Sequence, residues 1–170
     1  MSKAQLSQVE IGPEALSSAD VQRLIAELNA ELSARYMDPS ANHFELDESE
    51  VSGDNGVMLV ARVDGQARGC VAVRRLDEFS GELKRMYVAP TGRGMGIGAA
   101  LLDAIADRAQ QLGMFRLLLE TGPKQPEAVR LYERDGFQQV PPFGKYVHSP
   151  MSICMSKDLV SPEAEVLAAD

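Results

Sequence analysis

Met86-Tyr-Val-Ala-Pro-Thr-Gly-Arg-Gly-Met-Gly-Ile-Gly98 runs from a hydrophobic strand into a turn with glycine at positions 92, 94, 96 and 98. An amphipathic segment follows at once, so the turn opens a helix. Glycines this dense favour neither helix nor strand, and their use is bare backbone. At a helix N-terminus, bare backbone lets several N–H groups point outward together where the helix dipole already favours negative charge. The stretch reads as a phosphate cradle.

The rest of the chain limits what that cradle can serve. Its 170 residues fit one domain with a sizeable core. Seventeen basic against 25 acidic residues give a formal charge of −8, which disfavours non-specific binding to nucleic acid or to an anionic membrane. With no Trp, the core must be aliphatic and methionine-rich. Cys70 and Cys154 are far apart in apolar runs and form neither a CxxC nor a Cys/His cluster, so they read as buried thiols with no metal signature. Met1–Gln8 lacks the apolar core of a signal peptide, and no apolar run approaches the ~20 residues a bilayer span needs. The expectation is a cytoplasmic protein.

Working outward from the turn, Glu82–Val88 is the strand before it and Gly96–Leu112 the helix after it, with Ile97, Leu101, Ile105, Ala109 and Leu112 on one face. Phe115–Glu120 is a compact apolar strand of the buried parallel type. Pro126 suits the first turn of a helix that runs to Asp135 and stops at Gly136. Phe137–Val140 and Met151–Met155 are the last strands. Upstream, Val57–Val63 and Ala67–Leu76 flank Asp64-Gly65 as a hairpin. Before that come a short strand at Val9–Gly12 and a helix capped by Ser17 or Ser18, with Val21, Leu24, Ile25, Leu28 and Leu32 at helical spacing. Tyr36–Gly56 reads as a loop with one weak helix near Phe44–Glu50. The strand–helix–strand unit across the turn makes its two strands parallel neighbours. The hairpin makes the rest antiparallel, so the class is mixed α+β.

Two phosphate-loop readings compete. Gly94-Met-Gly96-Ile-Gly98-Ala99 loosely evokes a dinucleotide-binding GxGxxG/A, with Glu120 as the ribose-binding acid. That motif should follow its strand directly and sit in a run of βαβ units, yet Ala89–Arg93 intervene and only one such unit is present. A Walker A loop lacks its Gly-Lys-Ser/Thr. Read instead as Arg93-x-x-Gly96-x-Gly98, the turn resembles the acetyl-CoA motif of the GNAT superfamily of N-acetyltransferases. Gln125-Pro-Glu-Ala-Val-Arg-Leu-Tyr132-Glu-Arg-Asp-Gly136-Phe137 is similar to that superfamily's Asn-x-x-Ala-x-x-Leu-Tyr-x-x-x-Gly-Phe helix. The resemblance implies one domain over 7–158, with flexible ends at 1–6 and 159–170. It implies a mixed, mostly antiparallel sheet of about six to seven strands flanked by helices, its fourth and fifth strands splayed to admit the donor.

The same resemblance implies roles. Met86 and Val88 offer backbone to the pantetheine arm, Arg93, Gly94, Met95, Gly96, Ile97 and Gly98 hold the pyrophosphate, and Gln125 stands where Asn commonly touches the donor. Tyr132 is the candidate general acid for the departing thiolate. Glu82, six residues before Val88 and so expected on its face by alternation, is the candidate general base. Lys84 or Arg85 would bind an acceptor carboxylate if it faces the pocket. Phe143 and Tyr146 are candidate walls of the acceptor cleft, and His148, like His43, a candidate contact in a loop around it. Glu82-Leu-Lys-Arg-Met-Tyr-Val88 with Pro141-Pro-Phe-Gly-Lys-Tyr146 resembles a narrower GNAT subgroup, some of whose members carry an indole-acetate acetyltransferase label; an acid without an amine is an odd acceptor. The expected activity is acetyl transfer from acetyl-CoA to an amine of a small molecule by direct attack in a ternary complex, with protein or peptide amines as the alternative acceptors and a non-catalytic CoA-sensing module as the alternative class. No metal is expected, nor a nucleic-acid or membrane partner, and the protein would be a monomer or homodimer.

Overall fold

A computed structural model describes residues 8–36 and 46–159. In chain order the elements are β1 (Val9–Pro13), α1 (Ala19–Arg35), β2 (Gly56–Val63), β3 (Gln66–Arg75), β4 (Ser80–Val88), α2 (Ile97–Gln111), β5 (Arg116–Thr121), α3 (Pro126–Arg134), β6 (Gln138–Val140) and β7 (Ile153–Asp158). Short 3-10 turns lie at Glu48–Val51, Pro90–Gly92 and Gly144–Tyr146. The strands form a single sheet in the order β1-β2-β3-β4-β5-β7-β6, and only β4 and β5 pair parallel.

Local chemistry sets the elements. Ser18 caps α1 by accepting the Val21 N–H at 3.2 Å. Asp64 and Gly65 turn the β2–β3 hairpin with φ of 52° and 77°, the left-handed pair that matches strand twist. The sheet separates two apolar layers. Val21, Leu24 and Leu28 of α1 pack with Met58, Val60, Cys70, Ala72 and Tyr87 on one face. Ile97, Leu101 and Ile105 of α2, with Tyr132 of α3, pack with Val71, Val73, Leu83, Leu117 and Leu119 on the other. Each fully buried leucine contributes about 2 kcal/mol.

Most element boundaries move by one or two residues from expectation, and the larger differences lie near the ends and before β2. β7 begins at Ile153, because Ser149–Ser152 form a turn closed by the Ser152 N–H donating to the Ser149 carbonyl at 3.2 Å; it ends at Asp158, opposite Arg116. The weak helix at Phe44–Glu50 is a 3-10 turn at Glu48–Val51, and its first two residues, with His43, lie outside the described residues. Of the expected loose ends 1–6 and 159–170, residues 1–6 and 160–170 also lie outside them, while Leu159 donates its N–H to the Phe115 carbonyl at 2.7 Å.

One irregularity governs the site. Along the β3–β4 ladder, Cys70 pairs with Tyr87 and Ala72 with Lys84, so three steps on β4 oppose two on β3. The extra residue is a β-bulge, with Arg85 at φ 58° and its carbonyl accepting from the Cys70 thiol at 3.2 Å. A side chain other than glycine in the left-handed region costs about 1–2 kcal/mol. In return the bulge inverts the alternation of β4. Leu83 before it faces the α2 layer, whereas Met86 and Val88 after it also pack there and Tyr87 joins the α1 layer.

Candidate active site

β4 and β5 are paired only over Ser80–Glu82 and Arg116–Leu118; beyond Glu82 and Leu118 the strands diverge. The opening holds two adjoining cavities. The larger, about 500 Å³, runs past Met86 and Val88 to Arg93, Gly94, Gly96, Ile97 and Gly98 at the start of α2. The glycines there divide the work. Gly94 and Gly96 take φ of 81° and 78°, which turns the chain into α2. Gly98 instead gives room, since a Cβ on it would stand 2.9 Å from the Leu131 side chain. Arg93 reaches across this groove: its Nε donates to the Val88 carbonyl at 3.1 Å and its Nη2 meets both Glu31 oxygens at 3.0 and 2.9 Å. Bare N–H groups at the N-terminus of a 15-residue helix, beside an arginine, suit the phosphates of an extended anionic ligand.

The smaller cavity, about 110 Å³, lies deeper between the strands and is lined by Glu82, Lys84, Arg85, Glu120, Tyr146 and Ser152, among others. Leu28, Leu32, Met86, Gln125 and Tyr132 line both cavities, so Tyr132 stands where they meet. Lys84 and Arg85 are neighbours in sequence yet both border the cavity, because the bulge interrupts the pleat between them. Lys84 Nζ donates to the Tyr146 hydroxyl at 3.2 Å, and an Arg85 Nη donates to Asn29 Oδ1 at 2.9 Å.

Electrostatics separate the titratable groups. Desolvation by burial pushes the Glu120 carboxyl up to about 7, against the opposing pull of the Ser152 hydroxyl, which donates to its Oε1 at 3.2 Å, and of the Lys84 charge. Burial, followed by the Glu120 charge, raises the Tyr132 phenol, so it stays protonated at neutral pH. Burial also lowers Lys84, opposed by Glu82. The Cys70 thiol is pushed by burial up to about 12, and both cysteines are buried and reduced.

Glu82 is not on the face that alternation predicts. The bulge inverts the parity, so Glu82 points with Lys84 to the side opposite Met86 and Val88, where it is 1% exposed. Met86, Val88, Arg93, Gly94, Gly96, Ile97, Gly98 and Gln125 do border the larger groove, while the Met95 side chain is 43% exposed. Tyr146 forms a wall of the smaller cavity, with Phe143 behind it, edge-on at 5.3 Å between ring centroids. His148, the other candidate contact in that segment, is exposed and does not line the cavity, whereas Tyr146 in the Gly144–Tyr146 turn is buried and does. Glu120 is the site residue that sequence reasoning assigned only to a rejected motif. Its signal was a lone acid ending an apolar strand, twelve residues before Tyr132.

Comparison with known proteins agrees with this geometry. Residues 21–137 match the model of the "Acetyltransferase (GNAT) family". The chain is 39% identical over 155 residues to a protein of Azospirillum brasilense named "IAA acetyltransferase", covering 91% of this chain and all of that one. It is 32% identical over 129 residues to the N-acetyltransferase YsnE of Bacillus subtilis, covering 75% and 85% of the two chains. A solved protein from Klebsiella pneumoniae, assigned to the acyl-CoA N-acyltransferases, superposes with a TM-score of 0.78 at 34% identity over 89% of this chain and 98% of its own. A GNAT structure from Elizabethkingia anophelis with acetyl-CoA bound shares the fold at 19% identity, TM-score 0.63, over 89% and 98%. The chain belongs to the acetyltransferase (GNAT) family.

Proposed function

We propose that this enzyme acetylates the amine of a small molecule by direct attack within a ternary complex, with Glu120 as proton acceptor and Tyr132 as proton donor. The observation that carries the reading is the placement of Tyr132 at the junction of the two cavities, with Glu120 bordering the inner one. The outer groove fits the donor, because left-handed glycines and a helix N-terminus meet its phosphates and the edge of β4 beyond Glu82 is not paired with β5. When bound, acetyl-CoA supplies the thioester carbonyl that the amine attacks.

The residues of the chain do the rest. Glu120, poised near neutrality, takes the proton that the amine nitrogen loses as its bond to the acyl carbon forms. Tyr132 gives its phenolic proton to the sulfur as the C–S bond breaks. A cysteine acyl-enzyme is disfavoured, since the Cys70 thiolate is inaccessible near neutral pH and the Cys154 thiol is likewise raised by burial. Lys84 and Arg85 border the acceptor cavity and favour a carboxylate on the acceptor. That half of the description fits the name of the Azospirillum relative, whereas an indole-acetate without an amine gives Glu120 nothing to deprotonate. The cavity, about 110 Å³, suits a small acceptor better than a peptide.

The test is release of CoA thiol from acetyl-CoA in the presence of amino acids, simple amines and peptides. Turnover greatest on small amino acids supports the reading. Turnover on peptides alone would overturn the acceptor class. Tight CoA binding without turnover on any of them would favour a sensing module.

A further inference from the structure

Glu82 occupies the position from which a strand carboxylate could act on the acceptor, yet its surroundings give it other work. Its Oε1 accepts from Arg74 Nε at 2.9 Å and from Arg74 Nη2 at 2.7 Å. Its Oε2 accepts from the Tyr146 hydroxyl at 2.7 Å, and that hydroxyl accepts in turn from Lys84 Nζ at 3.2 Å. Both Glu82 and Tyr146 are buried, at 1% and 2% exposure. Arg74 continues the chain through an Nη bond of 2.7 Å to Glu50 in the 3-10 turn that precedes β2. Both carboxylate oxygens are therefore committed to hydrogen bonds, one to the Arg74 guanidinium and the other to the Tyr146 hydroxyl.

The partner at the far end explains the arrangement. Tyr146 belongs to the segment between β6 and β7, which has no ladder of its own over Pro141–Ser152. Within it Tyr146 is the buried side chain that enters the sheet, and it walls the acceptor cavity. A segment without strand pairing needs side-chain anchors to keep one position.

We propose that Glu82 is a positioning residue: with Arg74 it latches Tyr146, and so fixes the 143–152 segment as the wall that selects the acceptor. This rests on the reading of the inner cavity as the acceptor site. It predicts that Glu82 and Tyr146 behave as one unit, setting the acceptor KM and leaving proton transfer to Glu120.

Hydrogen–deuterium exchange on the full-length protein tests the latch without an acceptor. Amides of 143–152 should exchange about tenfold faster in Tyr146→Phe and in Glu82→Gln, no faster again in the double variant, with exchange in α2 unchanged. Unchanged exchange of this segment in Tyr146→Phe overturns the latch, and that variant decides even if Glu82→Gln does not fold. With any amine that the thiol-release screen finds, both variants should raise its KM about tenfold and retain the rise of kcat with pH near 7. A Glu82→Gln enzyme that loses that rise, while Tyr146→Phe keeps a normal KM, overturns the proposal in favour of Glu82 as the base. If no amine is acetylated, the proposed acceptor reading fails and the exchange result alone decides the latch.

Discussion

Replacing Glu120 by Gln should make the protein more stable and less active at once. Glu120 is held at about 7 where an ordinary glutamate titrates at 4.5, because burial penalises its charge. The folded protein thus binds this proton more tightly than the unfolded chain does. The sign follows: stability from this group is complete below pH 4.5 and is lost as pH rises to about 7, at a total cost of about 3 kcal/mol. About 2 kcal/mol of that falls between pH 5.5 and 8. Gln keeps the shape, can still accept from Ser152, and carries no charge to desolvate. Urea denaturation followed by circular dichroism at the two pH values should show the variant gaining about 2 kcal/mol on the parent as pH rises, with equal denaturant slopes. Its kcat should fall about 10²-fold or more and lose the rise near pH 7. Parallel stability profiles for the two proteins would refute the burial argument, and an intact pH-rate profile would refute the role of Glu120 as base.

Other perturbations separate donor from acceptor chemistry. Tyr132→Phe keeps the edge-on packing against Phe137, with centroids 5.8 Å apart, and should cut kcat about 10²-fold while the acetyl-CoA Kd by calorimetry stays within about twofold; undiminished turnover would remove Tyr132 as the acid. Gly96→Ala forces a side chain to φ 78° at the start of α2 and should cost about 1 kcal/mol of stability and several-fold in acetyl-CoA affinity, read by thermal melting and calorimetry. Glu31→Gln removes the anion that pairs with Arg93 beside the phosphate cradle and should tighten acetyl-CoA binding by up to about fivefold, with the gain shrinking at high salt; weaker binding would show that Glu31 positions Arg93 for the donor.

The outer groove was legible because the elements that form it are set locally. A glycine turn, a helix start and the Gln125–Phe137 helix are each set by residues adjacent in sequence, and the hairpin at Asp64-Gly65 announced the sheet in the same way. The inner cavity depends on tertiary relations that no local pattern encodes. Arg85 has no glycine or proline to mark it, so the bulge was invisible and alternation counted straight through it. Glu120 looks ordinary until the divergence of β4 and β5 leaves it facing an enclosed space. Tyr146 and His148 differ by two positions in one irregular segment, and only the 3-10 turn decides which enters the cavity.

The bulge also divides the two recognition tasks along one strand. Before Arg85, Glu82 and Lys84 face the α1 side and border the inner cavity, proposed for the acceptor; after it, Met86 and Val88 face the α2 side and border the outer groove, proposed for the donor, with Met86 where the two meet. A regular strand could not do this, since residues two and four apart would share a face. With the extra residue, a donor groove built from backbone and glycines can stay constant while side chains at 82 and 84 change the acceptor. Substitutions at 82 and 84 should therefore move the acceptor KM and leave the acetyl-CoA Kd alone.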